Sequence, residues 1–132
     1  MYRYIGIWEE CMLSDAMTER VAKRFGVLAA PMRLRILQVL EDGEKPVGDI
    51  VGILRSSQPN ISKHLKSLCQ EGLVGRRREG LNIWYSVADS MVFRLCDLIC
   101  RSAIEQTRAQ LAELAVRRGA RKRKGGGLTV RK

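Results

Sequence analysis

A single histidine, His64, serves the whole 132-residue chain, and no apolar run approaches the ~20 residues that a bilayer crossing needs. No histidine stands beside an acid or thiol in a cleft-forming context, no paired-carboxylate motif is present, and no Gly-rich phosphate loop follows a strand. GGGLTV near the C-terminus has no strand before it. These gaps exclude the common enzyme constellations, and the chain reads as a non-enzyme. Met1 to Glu10 holds one arginine, two glutamates and no sustained apolar stretch, so the pattern of a secretory signal is missing and a cytoplasmic location is expected. The four cysteines (Cys11, Cys69, Cys96 and Cys100) accordingly read as reduced thiols or soft-metal ligands rather than disulfides. No internal repeat is visible.

What is present fits one globular domain with an appendage: 45% of the residues are hydrophobic and 29% are charged. Lys and Arg number 24 against 14 Asp and Glu, a net charge of +10, and its location matters more than its size. From Arg117 to Lys132 there are eight basic residues and no acid, which leaves only +2 for Met1 to Val116. A basic tail alone indicates a polyanion as partner. A second cluster, Lys63, Lys66, Arg76, Arg77 and Arg78, lies inside the folded part and sharpens that reading to nucleic acid.

The periodicities give a run of helices. Ser14 to about Arg24 opens on a Ser or Asp cap and sets Met17, Val21 and Phe25 on one face. Pro31 suits the first turn of a helix running to Glu41, with Leu34, Leu37, Val39 and Leu40 as its apolar stripe before Gly43. Val47, Ile50, Val51 and Leu54 follow the i, i+3, i+4, i+7 spacing of a short amphipathic helix. Ser56 and Ser57 then offer caps, Pro59 falls in the first turn, and Ile61, Leu65 and Leu68 repeat at helical spacing until Gly72. Two short runs around Glu79-Gly80 form a β-hairpin, with Ile83, Tyr85 and Val87 alternating against Asn82, Trp84 and Ser86. Asp89 or Ser90 caps a long last helix carrying Val92, Leu95, Cys96, Ile99 and Ala103 on one face and continuing through Ile104, Leu111 and Leu114 to Val116. The expected organisation is an N-terminal arm over 1–13, a folded domain over 14–116 with dimerisation helices at 14–25 and 89–116, and a disordered basic tail over 117–132.

A helix, a short turn, a second helix and a basic hairpin, in that order, make a winged helix-turn-helix, a mainly α fold with a small β-hairpin. The second helix must dock Ile61, Leu65 and Leu68 on its neighbours. Its other face then presents Ser57, Gln58, Asn60, Ser62, Lys63, His64 and Lys66, residue types that bond base edges and phosphates. Gln58, Asn60 and Ser62, near the N-terminal end that enters a major groove deepest, are candidates for base contact; Lys63, His64 and Lys66 are candidates for phosphate. Arg76, Arg77 and Arg78 run up to the hairpin tip, within reach of the adjacent backbone or minor groove. Each residue taken alone reads as solvated surface; the order and spacing together carry the functional reading. Double-stranded DNA is the leading partner, and an RNA-binding winged-helix module is the alternative. No membrane or protein partner is indicated.

Residues Phe25 to Ala88 resemble the ArsR/SmtB family of bacterial winged-helix repressors, through LAAPMRLRILQVL, SSQPNISKHLKSLCQEGLVGRRREG and NIWYSV. The resemblance implies a homodimer built from the first and last helices, with two recognition helices about one DNA turn apart, ~34 Å, on a pseudo-palindromic operator. The last helix independently allows this, because its apolar stripe exceeds what one small domain covers. The resemblance also places the residue matching His64 at the DNA surface, away from any metal.

Many relatives release DNA when a metal ion or oxidant reaches a thiol or carboxylate site. The family's E-L-C-V-C-D-L box aligns with EKPVGDI, where Pro46 and Gly48 occupy the cysteine positions, and the family's zinc site on the last helix needs histidines that this chain lacks. Cys96 and Cys100 remain, four apart on one helix face, with Cys11 available as a third ligand from the same or the partner subunit. Three thiolates suit As(III) or Sb(III) or another soft metal ion, and a dithiol also responds to reactive sulfur or oxidants. A direct Cys96–Cys100 disulfide needs distortion, since the Cα atoms stand ~6 Å apart on one helix with near-parallel side chains. Ordinary packing of small buried thiols, with no sensor at all, is the competing reading. No cofactor is required for DNA binding.

Overall fold

The computed structural model describes residues 5–12 and 14–125. Their order is α1 (Ile5–Met12), α2 (Asp15–Leu28), α3 (Pro31–Leu40), β1 (Lys45–Pro46), α4 (Val47–Leu54), α5 (Gln58–Gln70), β2 (Val74–Glu79), β3 (Asn82–Val87) and α6 (Met91–Gly125). The contacts divide the chain into two compact units, residues 1–90 and 91–132.

In the first unit, Ser14 caps α2 by accepting from the Met17 amide, as the sequence indicates. Pro31 opens α3. The buried face of α3 is Ile36, Leu37 and Leu40, whereas Leu34, expected in the stripe, is 42% exposed. Positions 36, 37 and 40 share one side of a 3.6-residue turn, which turns Leu34 roughly 100° away from their centre. The core closes with Leu28, Ile50, Ile61, Leu65, Leu68, Leu73, Val74 and Tyr85. On α2 the expected stripe is left largely uncovered in the single chain, with Met17 at 41% and Phe25 at 47% exposure.

Two elements were not legible as such. Residues 5–12 of the expected arm form α1, which contacts α2. The hairpin acquires a third strand, β1, whose Lys45 and Pro46 pair antiparallel with Tyr85 and Trp84, giving the order β1-β3-β2. Pro46 lacks an amide proton, and an edge strand two residues long is where a proline is tolerated.

The second unit is α6, 35 residues long. It continues nine residues past Val116, from Arg117 to Gly125, which corrects the expected boundary of a disordered tail at 117. Arg and Lys are good helix formers, and cations in a last turn complement the helix dipole. Residues 126–132, including Arg131 and Lys132, lie outside the described residues. Leu98, Ile99, Ile104, Leu111, Leu114 and Val116 are all at least half exposed on this helix. Among the described residues no helix is long and apolar enough to cross a membrane.

Candidate nucleic-acid interface

A three-residue turn links α4 to α5, and it bends on Arg55, whose φ of 52° is left-handed. Ser57 then caps α5: its hydroxyl accepts from the Asn60 amide at 3.3 Å, and Pro59 follows within the first turn. At the far end Gly72, at φ 74°, lets the Leu73 amide donate back to the Leu68 carbonyl at 3.0 Å, closing the helix in a Schellman turn. Both ends of α5 are therefore fixed by local chemistry.

Between them the two faces separate cleanly. Ile61, Leu65 and Leu68 have no solvent exposure at all. They dock α5 against α3, α4 and β2. Ser57, Gln58, Lys63 and Lys66 are exposed, and Asn60, Ser62 and His64 are half-buried. The Asn60 side-chain amide donates to the Ser56 hydroxyl at 2.9 Å, which steadies that side chain near the start of the helix. Its carbonyl and second N–H remain free for a base edge.

His64 is held from α3. Arg33 Nε donates to His64 Nδ1 at 3.2 Å while its Nη1 donates to the Val27 carbonyl at 3.1 Å. An Nδ1 that accepts leaves the imidazole proton on Nε2, so a neutral His64 carries one fixed donor. Burial holds the His64 pKa below its ordinary value, and the positive charges of Arg33 and Lys63 push the same way. The neutral form is therefore the resident one at pH 7.

The hairpin β2–β3 turns on Gly80, at φ 60°, and Leu81. Its register sets Arg76 opposite Tyr85, Arg77 opposite Trp84 and Arg78 opposite Ile83. Side chains alternate along a strand, so Arg76 and Arg78 share one side of β2 and Arg77 takes the other, although all three border the hairpin. Arg76 faces α5: it lines a groove of about 490 Å³ together with Ser62, Lys66, Cys69, Gln70 and Tyr85. Arg78 shares with Arg76, Arg77 and Ile83 a second, smaller hollow of about 300 Å³. Arg77 is committed elsewhere. Its Nε donates to Glu44 Oε2 at 2.8 Å, its Nη2 to Glu44 Oε1 and its Nη1 to Glu79 at 2.6 Å, and its guanidinium lies 5.3 Å from the centre of the Trp84 ring. The hydrogen bonds from Arg77 hold the Glu44 carboxyl below the usual carboxylate range. Sequence reasoning gave Arg77 to DNA and missed Glu44 and Arg33, because both partners are more than thirty residues from the groups they hold.

The four cysteines are free. Cys69 sits in the groove between α5 and β2, where burial raises its thiol pKa and Arg76 opposes part of the rise. Cys11 is on α1 in the first unit, and Cys96 and Cys100 are on α6 in the second. Cys96 is partly buried and Cys100 exposed. Burial, and then the neighbouring Cys100, raise the Cys96 pKa, so this thiol is protonated at neutral pH. Among the described residues no three His, Cys, Asp or Glu side chains of the single chain group as a metal site.

Comparison with known proteins agrees with this geometry. The family model described as "Bacterial regulatory protein, arsR family" matches residues 30–75, from the start of α3 into β2. The "Transcriptional repressor SmtB homolog" of Synechocystis is 34% identical over 84 residues, which are 64% of this chain and 64% of that protein. The "Probable mercury resistance operon repressor" of Streptomyces lividans is 38% identical over 81 residues, 61% of this chain and 62% of that protein. In both cases the match spans a little under two thirds of the relative's length. The homodimeric winged helix-turn-helix DNA-binding domain (fragment 1–100) of a Mycobacterium bovis protein superposes with a TM-score of 0.65 at 34% identity, covering 73% of this chain and 92% of that one.

Proposed function

The chain belongs to the ArsR family of bacterial regulatory proteins, and from that membership and the geometry of α5 we propose that it is a sequence-specific repressor that binds a pseudo-palindromic DNA operator as a homodimer. One observation carries the reading: α5 buries Ile61, Leu65 and Leu68 completely while Ser57, Gln58, Lys63 and Lys66 stay exposed and Ser62 and Lys66 share a groove with Arg76 of the hairpin. A helix with that division fits a major groove, where amides and hydroxyls read base edges and ammonium groups hold phosphates. In this arrangement Gln58, Asn60 and Ser62 read bases. Lys63, Lys66 and the Nε2–H of His64 hold the backbone. Arg76 and Arg78 grip the phosphates or minor groove beside it, and Arg77 braces the wing through Glu44. Repression is supported by the names of two relatives, and dimerisation by the homodimeric state of the Mycobacterium bovis domain and by the uncovered Met17 and Phe25.

The inducer we assign to this repressor is thiol-reactive, a metalloid, soft metal ion or reactive sulfur species at Cys96 and Cys100. The i, i+4 pair on one face of α6 supports this, and so does the mercury resistance operon named for the Streptomyces lividans relative. The raised Cys96 pKa means that the ligand must displace a proton to bind.

The test is selection from a random duplex pool by purified protein, with structured RNA of equal charge as competitor. Enrichment of an inverted repeat with half-sites one helical turn apart, resistant to the RNA, is the expected result. Exchange of Gln58 and Asn60 for Ala then flattens the preference while leaving general affinity for DNA. Recovery of no motif, or preferential capture by RNA, refutes the reading.

A further inference from the structure

The charge of this protein is concentrated where the domain already described ends. Residues 117–124 of α6 hold six basic side chains and no acid, and they are helical and exposed. Arg117 is tied to Glu113 at 2.6 Å, but among the described residues Arg118, Arg121, Lys122, Arg123 and Lys124 make no ion pair. The pairs Arg117/Arg121 and Arg118/Lys122 stand four apart, the spacing at which like charges on a helix repel. A helix end in this state gains from a polyanion that lowers the repulsion.

We propose that residues 117–124 form a second DNA-binding element, a basic helical arm that lies along the phosphate backbone of duplex flanking the operator. The partner chemistry follows from the side chains. Five unpaired cations without amides, aromatics or acids interleaved suit a regular array of phosphates, with no means to read bases. Residues 117–124 themselves span ~12 Å of helix, about the length of three to four base pairs. This inference rests on the operator-binding reading and adds flanking DNA to it.

The experiment compares the full chain with the variant Arg118→Gln, Arg121→Gln, Lys122→Gln, Arg123→Gln, which keeps chain length and helix-forming residues, on two duplexes bearing the selected operator: one trimmed to the inverted repeat, the other with ten further base pairs on each side. The full chain is expected to bind the longer duplex at least tenfold more tightly. In the variant that ratio falls below about threefold, and the slope of log K against log salt on the longer duplex falls by about three or more per protomer, at ~0.9 per phosphate released. Amide hydrogen exchange over 117–124 slows on adding the longer duplex to the full chain. A full-chain ratio near one, or a ratio unchanged in the variant, overturns the arm. Failure to prefer the operator over scrambled duplex of the same length counts instead against the operator reading, so the two failures are distinguishable.

Discussion

Leu65 and Lys66 are adjacent on α5, one with no exposure and one fully on the polar side, and the account requires them to fail in opposite ways. Leu65→Ala removes a side chain packed where α5 meets α3, α4 and β2; such core truncations cost ~3–5 kcal/mol through lost transfer energy and the residual cavity. At ~4–8 °C per kcal/mol for a domain of this size, the thermal midpoint should fall by roughly 12 °C or more at fixed protein concentration. Lys66→Ala touches no core and should stay within ~0.5 kcal/mol of the parent. Its effect is on DNA. One phosphate contact contributes ~0.9 to the slope of log K against log salt, so the two Lys66 side chains of the proposed dimer contribute ~1.8, and the affinity lost on going from about 50 to about 200 mM salt should shrink by roughly twelvefold. Differential scanning fluorimetry reads the first quantity and fluorescence anisotropy at four salt concentrations reads the second. If Lys66→Ala leaves the salt slope unchanged, or if Leu65→Ala leaves stability intact, the assignment of faces on α5 is wrong.

Arg77 and Arg76 separate in a similar way. Arg77→Ala should loosen the hairpin, seen as faster amide exchange across β2 and β3, and Glu44→Gln should reproduce that effect, whereas Arg76→Ala should reduce the salt slope without changing exchange; equal exchange in all three variants would remove the bracing role. The His64 pKa is depressed in the folded protein, so the unfolded chain takes up a proton first as pH falls through about 6.5, and stability is lost from there downward. Between pH 7 and 5, above the range in which the depressed Glu44 carboxyl titrates, the thermal midpoint should fall more steeply for the parent than for His64→Gln, and parallel curves would contradict the Arg33-held neutral imidazole. Arsenite, cadmium or a polysulfide donor should release operator DNA from the parent protein but not from a Cys96→Ser, Cys100→Ser double variant; release that survives the double substitution discards the thiol sensor.

Helix α5 was legible because every determinant is local. The Ser57 cap, Pro59, the 61/65/68 spacing and the Gly72 stop lie within sixteen residues, and the polar face is what the apolar spacing leaves over. The hairpin was legible for the same reason, from alternation and Gly80. What escaped depends on distance or on weak local signals. Glu44 takes Arg77 from 33 positions away and Arg33 takes His64 from 31, and neither pair follows a periodicity. β1 is two residues, one of them proline, with no strand signature of its own. The end of α6 was placed at Val116 because the apolar stripe stops there, yet a helix of Arg and Lys needs no stripe to continue to Gly125. Leu34 enters the expected stripe by its spacing to Leu37 and Leu40, but Ile36, which that stripe left out, is the residue that completes the buried face of α3.

The most direct test of the central claim is an amide chemical-shift map of the labelled protein titrated with the selected operator duplex. The account predicts the largest perturbations over residues 57–66 and at Arg76 and Arg78, with the Arg33 and His64 side-chain resonances moving together and the Glu44–Arg77 pair still. Perturbations confined to α1 and α2, with α5 unshifted at saturating DNA, would contradict it.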